Sequence, residues 1–538
     1  MVRRRSPKPV VAARRAVRRR AGRDCDRDRN RSRNRGTVSR QPCDGGRGRH
    51  ARVRNRSPRR RLRAALHRAC TGSAIHAVAR ATPTVFFCSP YLDAGPFVMT
   101  QTAFRSQLLT FNGDPAQSSQ AANYETDGLL VVDDGKVVAA GPHARLAATL
   151  ARDAVVHDLR DKLIVPGFID THIHYPQTDM IASPAPGLLP WLDKYTFPTE
   201  RQFGDPEHAR EVADFFVDEL LACGTTSALV YCTVHKQSAD ALFAASDARD
   251  LRMIAGKVLM DRNCPEFLRD TAQSGYDDSA ELIDRWHGNG RQMYALTPRF
   301  APTSTEAQLE ACGELARRHP DVFVQSHVAE NVDEVKWVAE LFPGHRSYLD
   351  IYDRYGLLRP RAVYGHCIHL DDEDRRRMAE TRTVVAHCPT SNFFLGSGLF
   401  DFDKAGEYDV PVTLATDVGG GTSFSMLQTM NEAHKVARLS GHHLTATRMF
   451  WLATAGAAQA LDLADTVGTL APRTEADFVV LDPQATPLLA RRTKRADSLE
   501  ELLFAFALLG DDRAVYRTYA AGRLVHERGA ARRAAAAA

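Results

Sequence analysis

Two rhythms of apolar and polar residues run along this chain, each ruling its own stretch. Over residues 127–141 the sequence DGLLVVDDGKVVAAG sets two apolar runs on either side of an Asp-Asp-Gly corner. Strand-length runs meeting at such a corner predict a β-hairpin. Runs of the same kind return at ADFVVLDP (476–483) and AVYRTYAAGRLVHERG (514–529). Both ends of the globular part are therefore expected to build one small β-sandwich domain together. Residues 99–162 supply its first part and 466–529 its second, with everything between them inserted.

The insert, 163–465, alternates. Apolar or β-branched runs occur at LIVPGFIDTHIH (163–174), TTSALVY (225–231), RMIAGKVLM (252–260), MYALTPRF (293–300), VFVQSHV (322–328), AVYGHC (362–367), TVVAHC (383–388) and PVTLATD (411–417). Segments of helical spacing separate most of them. EHAREVADFFVDELLACG (207–224) ends in Gly, and STEAQLEACGELARRH (304–319) opens on a Ser/Thr cap. Eight strand runs alternating with helices predict an α/β fold, a (β/α)8 barrel of the TIM type.

The whole chain of 538 residues carries a formal charge of +6, with 44% hydrophobic and 25% charged residues. These are globular values, but the charge is unevenly placed. Residues 1–98 hold 26 Arg and one Lys against five Asp, a surplus of 22, so the remainder carries −16. Arginine runs such as RRAVRRR (14–20), with few aromatics, leave that segment too little apolar surface to offset ordering entropy, and disorder is the expectation. Three readings compete for it: a tail that neutralises nucleic-acid phosphates, a basic targeting peptide, and a start assigned too early, with Met99 opening the globular part. The last is preferred, so a nucleic-acid partner is not expected. The Ala/Arg tail 530–538 is also expected to be disordered. No apolar run long enough for a membrane span appears. The six cysteines after residue 98 lack CxxC spacing, so a reducing cytoplasm is the expected compartment.

The polar residues at the ends of the barrel runs change the picture from fold to chemistry. Active sites of such barrels form at the C-terminal ends of the strands. The first run ends in His172 and His174, the fifth in His327 followed by Glu330, the sixth in His366, the eighth in Asp417. Residues i and i+2 of a strand point the same way, so His172 and His174 can face one ion. With His327 and Asp417 they make a ligand set suited to Zn²⁺ or Fe²⁺, one position remaining for water. Glu330, beside such a water, is suited to moving protons. His366 either ligates the metal or holds the attacking water, and the sequence leaves both open. His369 and His387 are expected to support their neighbours.

Several stretches carry a resemblance: PGFIDTHIHYPQ, LLPWLDKYTFPTE (188–200), LTPRFAPT (296–303), QSHVAEN (325–331), HCPTSNFFLGSG (387–398) and LATDVGGGTSFSMLQTMNEAHKV (414–436). With these, most of residues 99–538 resembles the guanine deaminases of the amidohydrolase superfamily. The resemblance implies one Zn²⁺ per subunit on His172, His174, His327 and Asp417, with Glu330, Asp417 and His366 catalytic. It implies guanine contacts from Gln177, Arg299 and Phe300, bordered by His174 and His327. Trp191 is expected either to close the pocket or to pack in the core. Two-metal relatives supply a bridging lysine from the fourth strand, and MYALTPRF has none. The implied reaction is hydrolysis of guanine by water to xanthine and ammonia, in a homodimer. Other purines, pterins and triazines are the alternative substrates, and nucleic-acid binding through residues 1–98 the alternative of another class.

Overall fold

Eight parallel strands follow one another in chain order around one sheet in the computed structural model, which describes residues 101–184 and 186–530. The expectations for residues 1–98 and for the tail from 531 lie outside the described residues. The barrel strands are Phe168–His174, Thr225–Tyr231, Arg252–Gly256, Gln292–Pro298, Phe323–Val328, Ala362–His366, Val384–His387 and Val412–Leu414. The third run breaks at Lys257, and its remainder, Val258–Leu259, pairs beside the fourth strand.

Helices return the chain between strands, and their ends follow local chemistry. Pro206–Ala222 begins with Pro at its first turn and with the Asp205 side chain accepting from the Glu207 N–H. It stops before Gly224, whose φ of +81° suits glycine beyond a helix end. Glu306–Arg318 is capped by Thr305, which accepts from the Gln308 N–H. Among the described residues no helix is long and apolar enough to cross a membrane.

The sheet ladder does not run from the eighth strand back to the first, yet the barrel is closed there by specific bonds. The Asp417 N–H donates to the His172 carbonyl at 2.9 Å, and the His174 N–H to the Val418 carbonyl at 2.8 Å. Lower down, the Thr171 and Thr413 hydroxyls meet at 2.7 Å, and Thr416 donates from Oγ1 to Asp170 Oδ2 at 2.5 Å. Every one of these groups is buried, so leaving any unpaired would be costly.

The barrel interior is filled by Ile169, Leu229, Ile254, Ala295, Phe323 and Val363, one from each of the first six strands. Ile169 is an odd-numbered residue, whereas His172 and His174 are even. Strict alternation would send the histidines away from the side that Ile169 faces. The pairing of the first strand with the second shifts register between Asp170 and Ile173, and this irregularity re-aims the histidines toward the mouth. The sixth strand makes room for them: a Cβ at Gly365 would lie 2.6 Å from His172 Cε1.

The second sheet has seven strands, from Thr102–Phe111, Ala122–Asp133, Lys136–Pro142 and Val155–Pro166 at one end of the sequence and Phe478–Leu481, Val515–Ala520 and Arg523–Glu527 at the other. The predicted hairpin is there, turning at Asp134 and Gly135, both with positive φ. It is one continuous sheet rather than two. The Phe104 ring lies 5.0 Å from Phe478 and 5.0 Å from Tyr519. Two strands separate Phe104 from Tyr519 in the sheet order, a distance of about 14 Å in a flat sheet. The sheet therefore folds over on itself and encloses a core as a sandwich would.

Two expectations follow. Phe104→Ala should lower stability by about 3–5 kcal/mol, read by urea denaturation, while bound metal stays unchanged. Gly365→Ala should push the His172 ring aside, so metal content measured by elemental analysis should fall to a minor fraction of wild type although the circular dichroism spectrum is retained.

Candidate active site

At the barrel mouth the nitrogens and oxygens of four distant residues converge. His172 Nε2 and His174 Nε2 lie 3.3 and 3.4 Å from Asp417 Oδ1. His174 Nε2 lies 3.2 Å from His327 Nε2. One donor atom from each of the four falls within 4.8 Å of all the others. Among the described residues His172 Nδ1 and His174 Nδ1 make no hydrogen bond, and His172 Nε2 faces only the Asp417 carboxylate, although all are buried. Buried nitrogens without partners, gathered around a carboxylate, fit a divalent cation.

The protonation states suit that use. Burial depresses the pKa of His172, takes His174 down to about 3, and pushes His327 well below the ordinary range with help from the neighbouring imidazoles. All three rings are thereby neutral donors near pH 7. Burial works to raise Asp417, but hydrogen bonds with His172 and His174 outweigh it and hold the carboxyl well below the usual range. The His327 Nδ1–H donates to the Arg299 carbonyl at 2.6 Å, which leaves Nε2 with its lone pair toward the cluster. His172, His366, Cys388 and Asp417 form an overlapping group of the same size. Burial raises the Cys388 thiol far above its ordinary pKa, and the protonated thiol donates to the Ala386 carbonyl. The three neutral imidazoles are the better donors.

His366 stands beside this cluster. Its Nδ1 bonds Asn392 Oδ1 at 2.9 Å, and its Nε2 faces Glu330 Oε2 at 3.5 Å and Asp417 Oδ2 at 3.8 Å. The amide oxygen only accepts, so Nδ1 carries a proton and Nε2 points into the site. His366 and Asp417 both adopt left-handed backbone angles, φ +70° and +52°, an unfavourable conformation for such residues that the surrounding bonds hold in place.

Glu330 is buried and accepts a hydrogen bond from Ser397 Oγ at 2.7 Å. Burial raises its pKa to about 8, Ser397 opposes the shift, and Asp417 adds to it. Near neutral pH one carboxyl at the site is therefore protonated and the other ionised. Glu334 holds Glu330 from behind by accepting from its N–H at 2.9 Å.

The remaining expected residues, Gln177, Trp191, Arg299 and Phe300, line one cleft together with His174, His327 and Asp417. Trp191 lines the cleft and belongs to the same buried apolar cluster as Met180, Leu188 and Phe300. His369 bonds the Ser397 carbonyl at 3.0 Å. His387 packs against both Phe400 and Phe402, and neither ring nitrogen is hydrogen-bonded among the described residues. Sequence reasoning missed Glu200, Glu334, Asn392 and Ser397. Three of these stood inside stretches already singled out, yet no spacing rule distinguishes them from ordinary polar residues. The six described cysteines are buried and free.

The amidohydrolase family model matches residues 163–525. Guanine deaminase of Escherichia coli strain K12 is 51% identical over 415 residues, which cover 77% of this chain and 94% of that protein. The solved structure of the E. coli guanine deaminase covers 80% of this chain and 99% of its own, with a TM-score of 0.77 and 49% identity. A guanine deaminase from C. acetobutylicum with guanine bound in its active site has a TM-score of 0.71 and 26% identity, covering 79% of this chain and all of its own. The chain belongs to the amidohydrolase family and stands among its guanine deaminases.

Proposed function

We propose that this protein hydrolyses guanine to xanthine and ammonia, with one Zn²⁺ per subunit. The observation that carries the reading is the junction of a four-donor cluster, His172, His174, His327 and Asp417, with a cleft walled by Arg299, Gln177 and Phe300. The likeness to guanine deaminases along most of the chain supports it. A homodimer in the cytoplasm is the proposed working form, the dimer resting on the family resemblance alone and the compartment on cysteines without CxxC spacing.

The four donors would hold the zinc ion, which when bound lowers the pKa of its water toward neutrality. The chain's own residues do the rest. Phe300 offers a ring face to the purine. Arg299 donates to the oxygen on carbon 6, and Gln177 pairs with the purine edge through its amide. His366, through Nε2, accepts from the attacking water and aims it at carbon 2. The ionised Asp417 takes the proton that the water loses. The protonated Glu330 gives its proton to the adjacent ring nitrogen N3 as the new carbon–oxygen bond forms. Two carboxyls with pKa values driven apart thus divide base and acid work between them. The proton held by Asp417 then passes to the 2-amino group, the carbon–nitrogen bond breaks and ammonia leaves, while the new hydroxyl gives its proton back to Glu330 and becomes the second carbonyl of xanthine.

Purified protein should release ammonia from guanine much faster than from adenine or an aminotriazine, and a chelator should abolish the release until zinc is restored. Chelator-resistant activity, or equal rates on all three compounds, would refute the reading. Glu330→Gln should keep its metal yet lose roughly 10²–10⁴-fold in turnover, the range for a lost general acid; wild-type turnover in that variant would remove the proton-transfer role.

A further inference from the structure

We infer that Glu200 is the positioning residue that fixes how Arg299 and Gln177 present themselves to the purine, and so sets the preference for a base with oxygen at carbon 6. This rests on the function proposed above. Glu200 ends the short helix Phe197–Glu200, in the long connection between the first and second barrel strands. It is 1% exposed. Arg299 Nη1 donates to both of its carboxylate oxygens, at 2.9 and 2.8 Å, and Gln177 Nε2 donates to Oε1 at 3.1 Å.

These bonds determine what the two partners have left to offer. Arg299 is 3% exposed, so its charge needs a buried counter-charge, and Glu200 supplies it. Because Nη1 alone meets the carboxylate, Nε and Nη2 make no hydrogen bond among the described residues, and Arg299 lines the cleft. The Phe197 ring, 5.7 Å from the guanidinium carbon, holds the plane from another side. Two free N–H donors of a rigid fork suit a carbonyl oxygen and reject an amino group or a bare C–H.

Gln177 is locked by the same carboxylate. Its Oε1 accepts from the Gly419 N–H at 3.3 Å while its Nε2 donates to Glu200. A backbone N–H can only donate and a carboxylate can only accept, so the amide fits in one orientation. Replace the carboxylate by an amide and that orientation is no longer enforced, nor is the Arg299 charge balanced. Glu200 itself is not among the groups lining the cleft, so it acts through its two partners.

The test compares ligands that differ at carbon 6. In zinc-loaded Glu200→Gln, the KM for guanine and the inhibition constant of xanthine, both with oxygen there, should each rise roughly tenfold or more, as expected when a hydrogen-bonding site loses its alignment. The inhibition constant of 2-aminopurine, with hydrogen at that carbon, should change by less than about threefold, and zinc content should equal that of wild type. Glu200→Asp keeps the charge but falls one methylene short, and should show the same ligand-selective loss; it stands in if the first variant does not accumulate. A parallel loss for all three ligands, or an unchanged KM for guanine, would overturn the assignment. Wild-type protein without guanine turnover would instead overturn the proposed function, and this inference with it.

Discussion

The closure of the barrel between its last and first strands is the constraint on which the site depends. Two backbone hydrogen bonds, from Asp417 to His172 and from His174 to Val418, tie the ends of those strands together. They bring a carboxylate within 3.4 Å of two imidazoles that lie more than two hundred positions earlier in the chain. Without that junction the three imidazoles would have no anion between them, and their unpaired buried nitrogens would only cost stability. The same junction depends on Asp170 and Thr416 below it, where a buried carboxylate accepts from both the hydroxyl and the N–H of one threonine.

Burial then does the electrostatic work. It neutralises the imidazoles, which makes them ligands, and it raises Glu330, which makes it an acid. Asp417 escapes the same fate only because His172 and His174 bond it. A single buried mouth thereby gives opposite protonation states to carboxyls that share one histidine neighbour, His366. On the opposite face of the barrel, Arg252 and Arg291 both pair with Glu475, which leads into the folded-over sheet. That end of the barrel is used for anchoring, and the mouth is left for chemistry.

Much of this is legible in the sequence. The alternation of strand runs and helical segments is a local property, written by side-chain periodicity, and each of the eight runs supplies a barrel strand, although residues 163–166 of the first belong to the seven-stranded sheet and the third breaks at Lys257. The strand-end residues His172, His174, His327, His366 and Asp417 could be gathered on paper, because a closed parallel barrel sends all C-terminal strand ends to one mouth. Gln177, Arg299 and Phe300 were legible only through likeness to known sequences, since nothing in their spacing separates them from a salt bridge or a core ring.

What the sequence determined by itself was the set of elements and the identity of the groups that meet, since both follow from periodicity and strand order. What tertiary structure alone decided was how those groups are aimed and charged. The register shift after Asp170 turns the histidines inward, Gly365 clears their space, and burial selects each protonation state. Glu200 became visible only once its carboxylate was seen to bond Gln177, from its own connection, and Arg299, from a distant strand end, together. Orientation, desolvation and pairing across the fold are properties of neighbours in space, and a linear pattern carries no record of them.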